Sequence, residues 1–287
     1  MLSSVLVTGG SGYFGQAFVR ECLNRGAHRV CIFSRGEYQQ ALMRAEFGDE
    51  ARLRYFVGDV RDRGRLRRAM EGVDLVVHAA ALKRVEVGEY DSSEMVKTNV
   101  LGAMNVIEAA TDAGVSRVIG LSSDKACEPT NCYGASKLVS EKLFLAANNS
   151  RGAAGPIFAI TRYGNVSGST GSVIPTWRRE IAAGRPIRLT HPQATRFWMT
   201  RQEAVDLVMR TAETMRGGEL VIPDLPAYEL SSLVVAMGRE AGLERLDVNV
   251  VGLGDGEKMH ESMRPGETSQ DARRMTVDEI KEGLAHV

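Results

Sequence analysis

The sequence predicts an α/β fold, a doubly wound parallel sheet followed by a smaller lobe, and three observations carry that expectation. Short apolar runs alternate with longer stretches of helical period through the first half of the chain. The runs are Val- and Ile-rich and nearly continuous, the pattern of strands buried on both faces. The first run ends in a glycine-rich turn that opens a helix.

Strands are expected over residues 5–8, 29–33, 53–57, 75–79, 117–121 and 157–161. Helices are expected between them over 13–24, 63–71, 93–113 and 133–147. This βαβ alternation implies right-handed crossovers in one parallel sheet. After residue 163 the pattern changes: Gly, Ser and Pro become frequent over 164–175, then helices are expected over 175–183, 201–215 and 231–241, and strands over 220–223 and 247–251. The expectation is a Rossmann-type domain over 1–163, a segment 195–216 that returns to it, and a substrate lobe over 164–287.

Composition removes several function classes. The 287 residues carry 36 Lys+Arg against 36 Asp+Glu, so the basic excess of a nucleic-acid binder is missing. No stretch approaches the roughly 20 apolar residues that cross a bilayer, and no basic n-region precedes the first strand, so neither a membrane span nor a signal peptide is expected. The four cysteines form no CxxC pair and read as free thiols of a cytoplasmic protein. His260-Glu261 does not continue into HExxH, and no metal site is expected.

The turn after the first strand reads Thr8-Gly9-Gly10-Ser11-Gly12-Tyr13-Phe14-Gly15. Gly9, Gly12 and Gly15 stand in GxxGxxG spacing, which lets backbone approach a pyrophosphate while the next helix offers its N–H groups. The end of strand two indicates which dinucleotide. An NAD site usually has a carboxylate there for the ribose 2′-OH; here the run is Phe33-Ser34-Arg35-Gly36. A guanidinium suits a 2′-phosphate, so NADP is the expected cofactor, although Arg35 stacked on adenine would also serve NAD. Asp59, after strand three, is expected to accept from the adenine amino group.

Tyr133-Gly134-Ala135-Ser136-Lys137 contains Tyr-x-x-x-Lys, which puts phenol and ammonium on one helix face. A neighbouring cation favours phenolate, so Tyr133 is the expected base toward a sugar hydroxyl, with Lys137 lowering its pKa.

Together these features resemble the extended short-chain dehydrogenase/reductase superfamily. Leu121-Ser122-Ser123-Asp124-Lys125-Ala126 narrows the match, because an ionisable pair at this place looks like the inverting UDP-N-acetylglucosamine 4,6-dehydratases of the polysaccharide-biosynthesis group. His78-Ala79-Ala80-Ala81-Leu82-Lys83, Lys97-Thr98-Asn99, Arg162-Tyr163-Gly164-Asn165-Val166, Gly171-Ser172-Val173-Ile174-Pro175, Thr195-Arg196-Phe197-Trp198 and Gly256-Glu257-Lys258-Met259-His260-Glu261 are similar to the same group. The resemblance implies that Asp124 is the acid toward the departing 6-hydroxyl and Lys125 the group that handles the C5 proton, with Ser123 bonding the C4 oxygen beside Tyr133. Lys125 must be partly neutral for this, and burial near Lys137 is expected to lower its pKa. It further implies Ser11, Tyr13, Phe14, Ser34, Val60, Ala79, Ala80, Ala81 and Asn99 as cofactor contacts and Lys83 as facing cofactor or substrate. Tyr163, Asn165, Ser172, Val173, Pro175, Arg196 and Glu257 would hold a UDP-sugar. One departure stands out: the group often reads Arg-Pro-Gly-Glu-Lys where this chain has Gly254-Asp255-Gly256-Glu257-Lys258.

The cluster Arg61, Arg63, Arg65, Arg67 and Arg68 reads as a solvated helix face, since no aromatic residues for base stacking accompany it. Apolar positions in 100–110 and 138–146 are expected as core or as a homodimer interface, which related enzymes build from these two helices. The expected activity is therefore an NADP-dependent, C5-inverting sugar-nucleotide 4,6-dehydratase serving surface polysaccharide or glycan synthesis. A 4- or 5-epimerase of the same superfamily is the first alternative, and a non-catalytic NADP-binding sensor the second.

Overall fold

The structure, a computed structural model, describes residues 3–287. The chain runs β1 (Ser4–Thr8), α1 (Tyr13–Asn24), β2 (Arg29–Ser34), α2 (Glu37–Phe47), β3 (Leu53–Val57), α3 (Arg63–Ala69), β4 (Leu75–His78), α4 (Val85–Tyr90), α5 (Ser92–Val96), α6 (Gly102–Asp112), β5 (Arg117–Ser123), α7 (Cys132–Ser150) and β6 (Ile157–Tyr163). It continues through β7 (Asn165–Val166), α8 (Val173–Ala182), β8 (Ile187–Leu189), β9 (Thr195–Met199), α9 (Arg201–Thr214), β10 (Leu220–Val221), β11 (Ala227–Glu229) and α10 (Leu230–Glu240). The last elements are β12 (Val248–Val250), β13 (Ser262–Arg264), β14 (Glu267–Thr268) and α11 (Val277–Leu284).

Seven strands form one sheet in the order β10-β6-β5-β4-β1-β2-β3, and every neighbour pair is parallel. The order reverses between β1 and β4, which opens a crevice at the carboxyl ends of the strands. The apolar runs of β1 and β4 are buried throughout because helices cover both faces. On one face Phe18 and Val19 of α1 pack with Val205 and Val208 of α9. On the other, Leu66, Val106 and Phe144 bring α3, α6 and α7 together. A third core, with Trp177, Trp198, Tyr228, Leu233, Met237 and Ile280, holds the remaining lobe. The chain after residue 163 thus contributes α9 and the edge strand β10 to the first layer as well as building the second lobe.

Three helices (α2, α4 and α11) and six short strands (β7, β8, β9, β11, β13 and β14) go beyond the elements expected from sequence. Within α2 only Gln40 and Met43 are buried, so its apolar period is faint. Strand β9 is fully buried, yet Arg196 and Thr195 interrupt its apolar run. The α11 start was readable, since Thr276 and Glu279 form a capping box. The expected helix over 93–113 is broken by a π turn at Lys97–Leu101, which buries Thr98 and Asn99. Of the basic cluster, Arg61 pairs with Asp59 and Glu94, and Arg63 with Glu108 and Asp112. Among the described residues, no helix is long and apolar enough to cross a membrane.

Candidate active site

The crevice begins at the turn after β1. Gly9 has φ of +69°, and a Cβ there would lie 3.0 Å from the Ala80 amide. At Gly15 a Cβ would meet the Gly9 and Gly10 carbonyl oxygens at 2.6 Å, so only glycine lets α1 sit this close to the turn. The N-cap of α1 is Gly12, whose lack of a side chain leaves the first N–H groups open to an anion. Ser11 Oγ donates to Ser34 Oγ at 2.8 Å and ties the turn to the end of β2. This cradle fits the pyrophosphate of a dinucleotide.

From there one cavity of about 1030 Å³ runs to the second lobe. The structure brings Gly9, Ser11, Gly12, Tyr13, Phe14, Gly15, Ser34, Arg35, Val60, Ala79, Ala80, Ala81 and Lys83 to its wall. The same wall carries Ser123, Lys125, Tyr133, Lys137, Tyr163, Asn165, Ser172, Val173, Arg196 and Glu257. Arg35 is about half exposed, with its guanidinium 3.8 Å from the Asp59 carboxylate.

Four expected site residues stand off the wall. Asp59 is held by Arg61 at 2.7 Å, while Gly58 and Val60 on either side face the cavity. Asn99 is buried: its amide donates to Leu82 O at 2.8 Å and Ser136 Oγ at 3.0 Å, and its oxygen accepts from Leu82 N at 2.8 Å. It braces the loop after β4 against α7 from within the π turn. Pro175 lies within the first turn of α8. Asp124 stands behind Ser123 and Lys125, only 1% exposed. Arg264, ten residues past the altered Gly254 motif, pairs with Asp224 and Glu267. Arg188 and Arg196 line the cavity.

The residues expected to carry the chemistry gather where β5 ends. Asp124 Oδ1 accepts from Ser123 Oγ and from the Lys125 backbone N–H, both at 2.8 Å, and from Lys125 Nζ at 3.2 Å. Its Oδ2 is buried with no hydrogen-bond partner among the described residues. Burial pushes the Asp124 carboxyl above the usual range despite the Lys125 cation beside it. Gly134, one residue past Tyr133, packs α7 onto this turn: a Cβ there would overlap the Lys125 carbonyl.

Two electrostatic expectations are corrected. Lys125 is raised, not lowered: burial works against its charge, but the Asp124 and Glu261 carboxylates outweigh it. Lys137 does not lower Tyr133. Its ammonium donates to Leu121 O at 2.5 Å, and burial pushes Lys137 itself down to about 8. The Tyr133 phenol is raised by burial, opposed by a hydrogen bond with Ser123 and by the Lys125 cation. Sequence spacing gave the shared helix face but not the backbone carbonyl that captures the ammonium.

Glu261 is the site residue that sequence reasoning missed. It closes the Gly256–Glu261 motif, and its Oε1 lies 2.9 Å from Lys125 Nζ. Trp177, Thr190 and Tyr228 also line the cavity, brought in by α8, the residue after β8, and β11. Their apolar or uncharged character carried no signal in one dimension.

Known proteins align along nearly the whole chain. The family described as polysaccharide biosynthesis protein matches residues 5–281. An inverting UDP-N-acetylglucosamine 4,6-dehydratase of Campylobacter jejuni is 44% identical over 262 residues, 91% of this chain and 77% of that protein. A UDP-glucose 4-epimerase of Rickettsia typhi is 39% identical over 264 residues, again 91% and 77%. Among solved structures, Pen from Bacillus thuringiensis superposes with a TM-score of 0.93 at 34% identity, covering 99% of this chain and 98% of that one. The dTDP-glucose 4,6-dehydratase DesIV of Streptomyces venezuelae, solved with NAD and TYD, gives 0.86 at 25% identity over 98% and 96%. The glycine cradle, the Tyr-x-x-x-Lys helix and these matches agree: the chain belongs to the polysaccharide biosynthesis protein family of extended short-chain dehydrogenases/reductases.

Proposed function

We propose that this enzyme is a sugar-nucleotide 4,6-dehydratase that takes UDP-N-acetylglucosamine, uses NADP and inverts C5. The observation that carries the reading is the Asp124–Lys125 pair at the end of β5, set beside Ser123 and Tyr133 where the cofactor cradle opens into the second lobe. A nicotinamide dinucleotide, when bound, supplies the hydride acceptor for C4 and the donor for C6. Tyr133, on the cavity wall with Ser123, takes the 4-hydroxyl proton as C4 is oxidised. The resulting ketone acidifies C5–H. Lys125 in its neutral form takes that proton, and the C6–O6 bond breaks as O6 is protonated and leaves as water; hydride at C6 and a proton on the opposite face of C5 then complete the inverted 4-keto-6-deoxy sugar. Asp124 suits the acid role because burial pushes its carboxyl above the usual range, and Ser123 Oγ, 2.8 Å from Oδ1 and on the cavity wall, offers a path for its proton toward O6. Arg196 and Arg188 supply cations for the diphosphate. Arg35, about half exposed and on the cavity wall at the end of β2, favours a 2′-phosphate. Exposed Met104 of α6 and Val139 of α7, with Val96 and Leu101 just before α6, suit pairing of two copies along these helices. A cytoplasmic location suits the free cysteines.

The Rickettsia relatives favour 4-epimerisation as the second reading. Incubation of the purified protein with UDP-N-acetylglucosamine in deuterated water separates the two. Dehydration gives a 4-keto-6-deoxy product with deuterium at C5, read by NMR and mass spectrometry; a 4-epimerase leaves the C5 proton and releases no water.

A further inference from the structure

One buried carboxylate at the site has no part in the reaction as derived above. Glu261 is 3% exposed, and its Oε1 lies 2.9 Å from Lys125 Nζ and 4.0 Å from Arg196 Nε. Its Oε2 has no hydrogen-bond partner among the described residues. The carboxylate is held from its own side of the site. The Glu261 N–H donates to Ser269 Oγ at 3.0 Å, and the Ser269 N–H donates to Glu261 O at 2.7 Å. The segment leading to it is docked on the loop after Lys125. Thr130 Oγ1 and Asn131 Nδ2 donate to Gly256 O at 2.8 and 2.9 Å, and Lys258 Nζ donates to Cys127 O at 2.6 Å. The contact with Lys125 is therefore built by the scaffold and does not depend on a mobile side chain finding its partner.

We infer that Glu261 is the positioning residue for Lys125: it fixes the ammonium at the cavity wall, opposite Asp124, and sets the pH at which that amine becomes free to take a proton. The inference rests on the reading of Lys125 as the group that handles the C5 proton. An amine accepts a proton only after losing its own, and a carboxylate at ion-pair distance in a nearly dry site opposes that loss. Two carboxylates do so here. Asp124 is needed as the acid, which leaves Glu261 as the group whose role is electrostatic and geometric. The charged and titratable groups facing it are Lys125 from the end of β5, Arg196 from β9, and Lys258 and His260 from its own segment, with Asp124 and Tyr133 beyond Lys125. Burial raises the Glu261 carboxyl, and the Lys125 and Arg196 cations outweigh that and hold it below the usual range. The pair thus stands as carboxylate and ammonium at neutral pH.

Competitive labelling with acetic anhydride tests this without any sugar substrate. The label on Lys125 is followed by mass spectrometry from pH 7 to 11 in wild type, Glu261→Gln and Glu261→Asp, and the shift of its midpoint is read from the ratio of rates below the midpoint, where labelling follows the free-amine fraction. Removing the carboxylate is expected to move the Lys125 midpoint down by about one pH unit or more, a roughly tenfold faster labelling below the midpoint. Glu261→Asp keeps the charge but withdraws it by one methylene, so its midpoint falls between the two. That variant carries the test if the glutamine variant fails to fold. A midpoint unchanged in both variants overturns the inference. The second readout is the pH profile of water loss from UDP-N-acetylglucosamine: in Glu261→Gln its plateau moves to lower pH while KM stays within about threefold, as expected for a group acting on a proton and not on substrate binding. A profile superimposed on wild type overturns the inference, as does a rise in KM with kcat unchanged. Absence of water loss in wild type brings down the dehydratase reading itself, and the labelling midpoint separates that failure from failure of the inference.

Discussion

Arg162 and Glu141 face each other inside the protein as a two-point ion pair, Nε to Oε1 at 2.8 Å and Nη2 to Oε2 at 2.6 Å, with both side chains nearly dry. Arg162 Nη1 also donates to Met263 O at 2.8 Å, so the pair joins α7 and β6 to the hairpin that follows Glu261. Arg162→Met or Glu141→Gln leaves an uncompensated buried charge, and each is expected to cost about 3–5 kcal/mol in urea unfolding. The double replacement by apolar residues is expected to recover most of that loss. A single variant as stable as wild type would show that the pair contributes nothing.

Asp124→Asn keeps the shape of the turn but removes the ionisable proton. Cofactor binding is expected to persist while water loss falls by roughly 10²–10⁴-fold, the usual weight of general acid–base help. Measured production of 4-keto-6-deoxy sugar at the wild-type rate would remove Asp124 from the mechanism.

Arg35→Ala tests the choice of dinucleotide. Loss of a charge-assisted contact to a 2′-phosphate is expected to weaken NADP by about ten- to a hundredfold and NAD little. Titration calorimetry with both cofactors decides it; equal weakening would place Arg35 against adenine.

Gly15→Ala puts a methyl group into backbone at 2.6 Å. The expected result is a stability loss of about 1–3 kcal/mol together with weaker dinucleotide binding, because α1 has to back away from the turn. Thermal melts with and without cofactor would measure both; unchanged melts would mean the turn tolerates the extra atom.

His78 gives a pH signature. It is buried, with Nδ1 2.8 Å from Thr8 Oγ1, and burial together with the nearby Lys137 cation pushes its pKa down to about 3. The unfolded chain therefore binds a proton that the folded chain refuses. His78 contributes stability above its unfolded pKa of about 6.5, and that is lost toward pH 3 by up to about 1.4 kcal/mol per pH unit. Urea midpoints between pH 4 and 7 should fall more steeply in wild type than in His78→Gln, and parallel slopes would refute the assignment.

The sequence by itself determined the layered α/β fold and the placement of its chemistry at the strand ends. Continuous apolar runs can be buried on both faces only between two helical layers, and a turn spaced Gly9, Gly12, Gly15 after the first strand has few other uses. It also set Asp124 and Lys125 side by side and Tyr133 on the same helix face as Lys137. What it could not determine were contacts between residues far apart in the chain. Lys125 reads alone as an amine lowered by burial; folding turns the neighbouring Asp124 onto it and brings Glu261, 136 positions later, to 2.9 Å, and the two together reverse the sign. Asn99 reads as a cofactor contact until the π turn buries it between Leu82 and Ser136. Lys137 reads as partner to a phenol until the Leu121 carbonyl takes its proton donor. Local pattern governs which elements form, because periodicity and turn chemistry act over a few residues. Charge state and hydrogen bonding depend on distance in space, which tertiary packing alone decides.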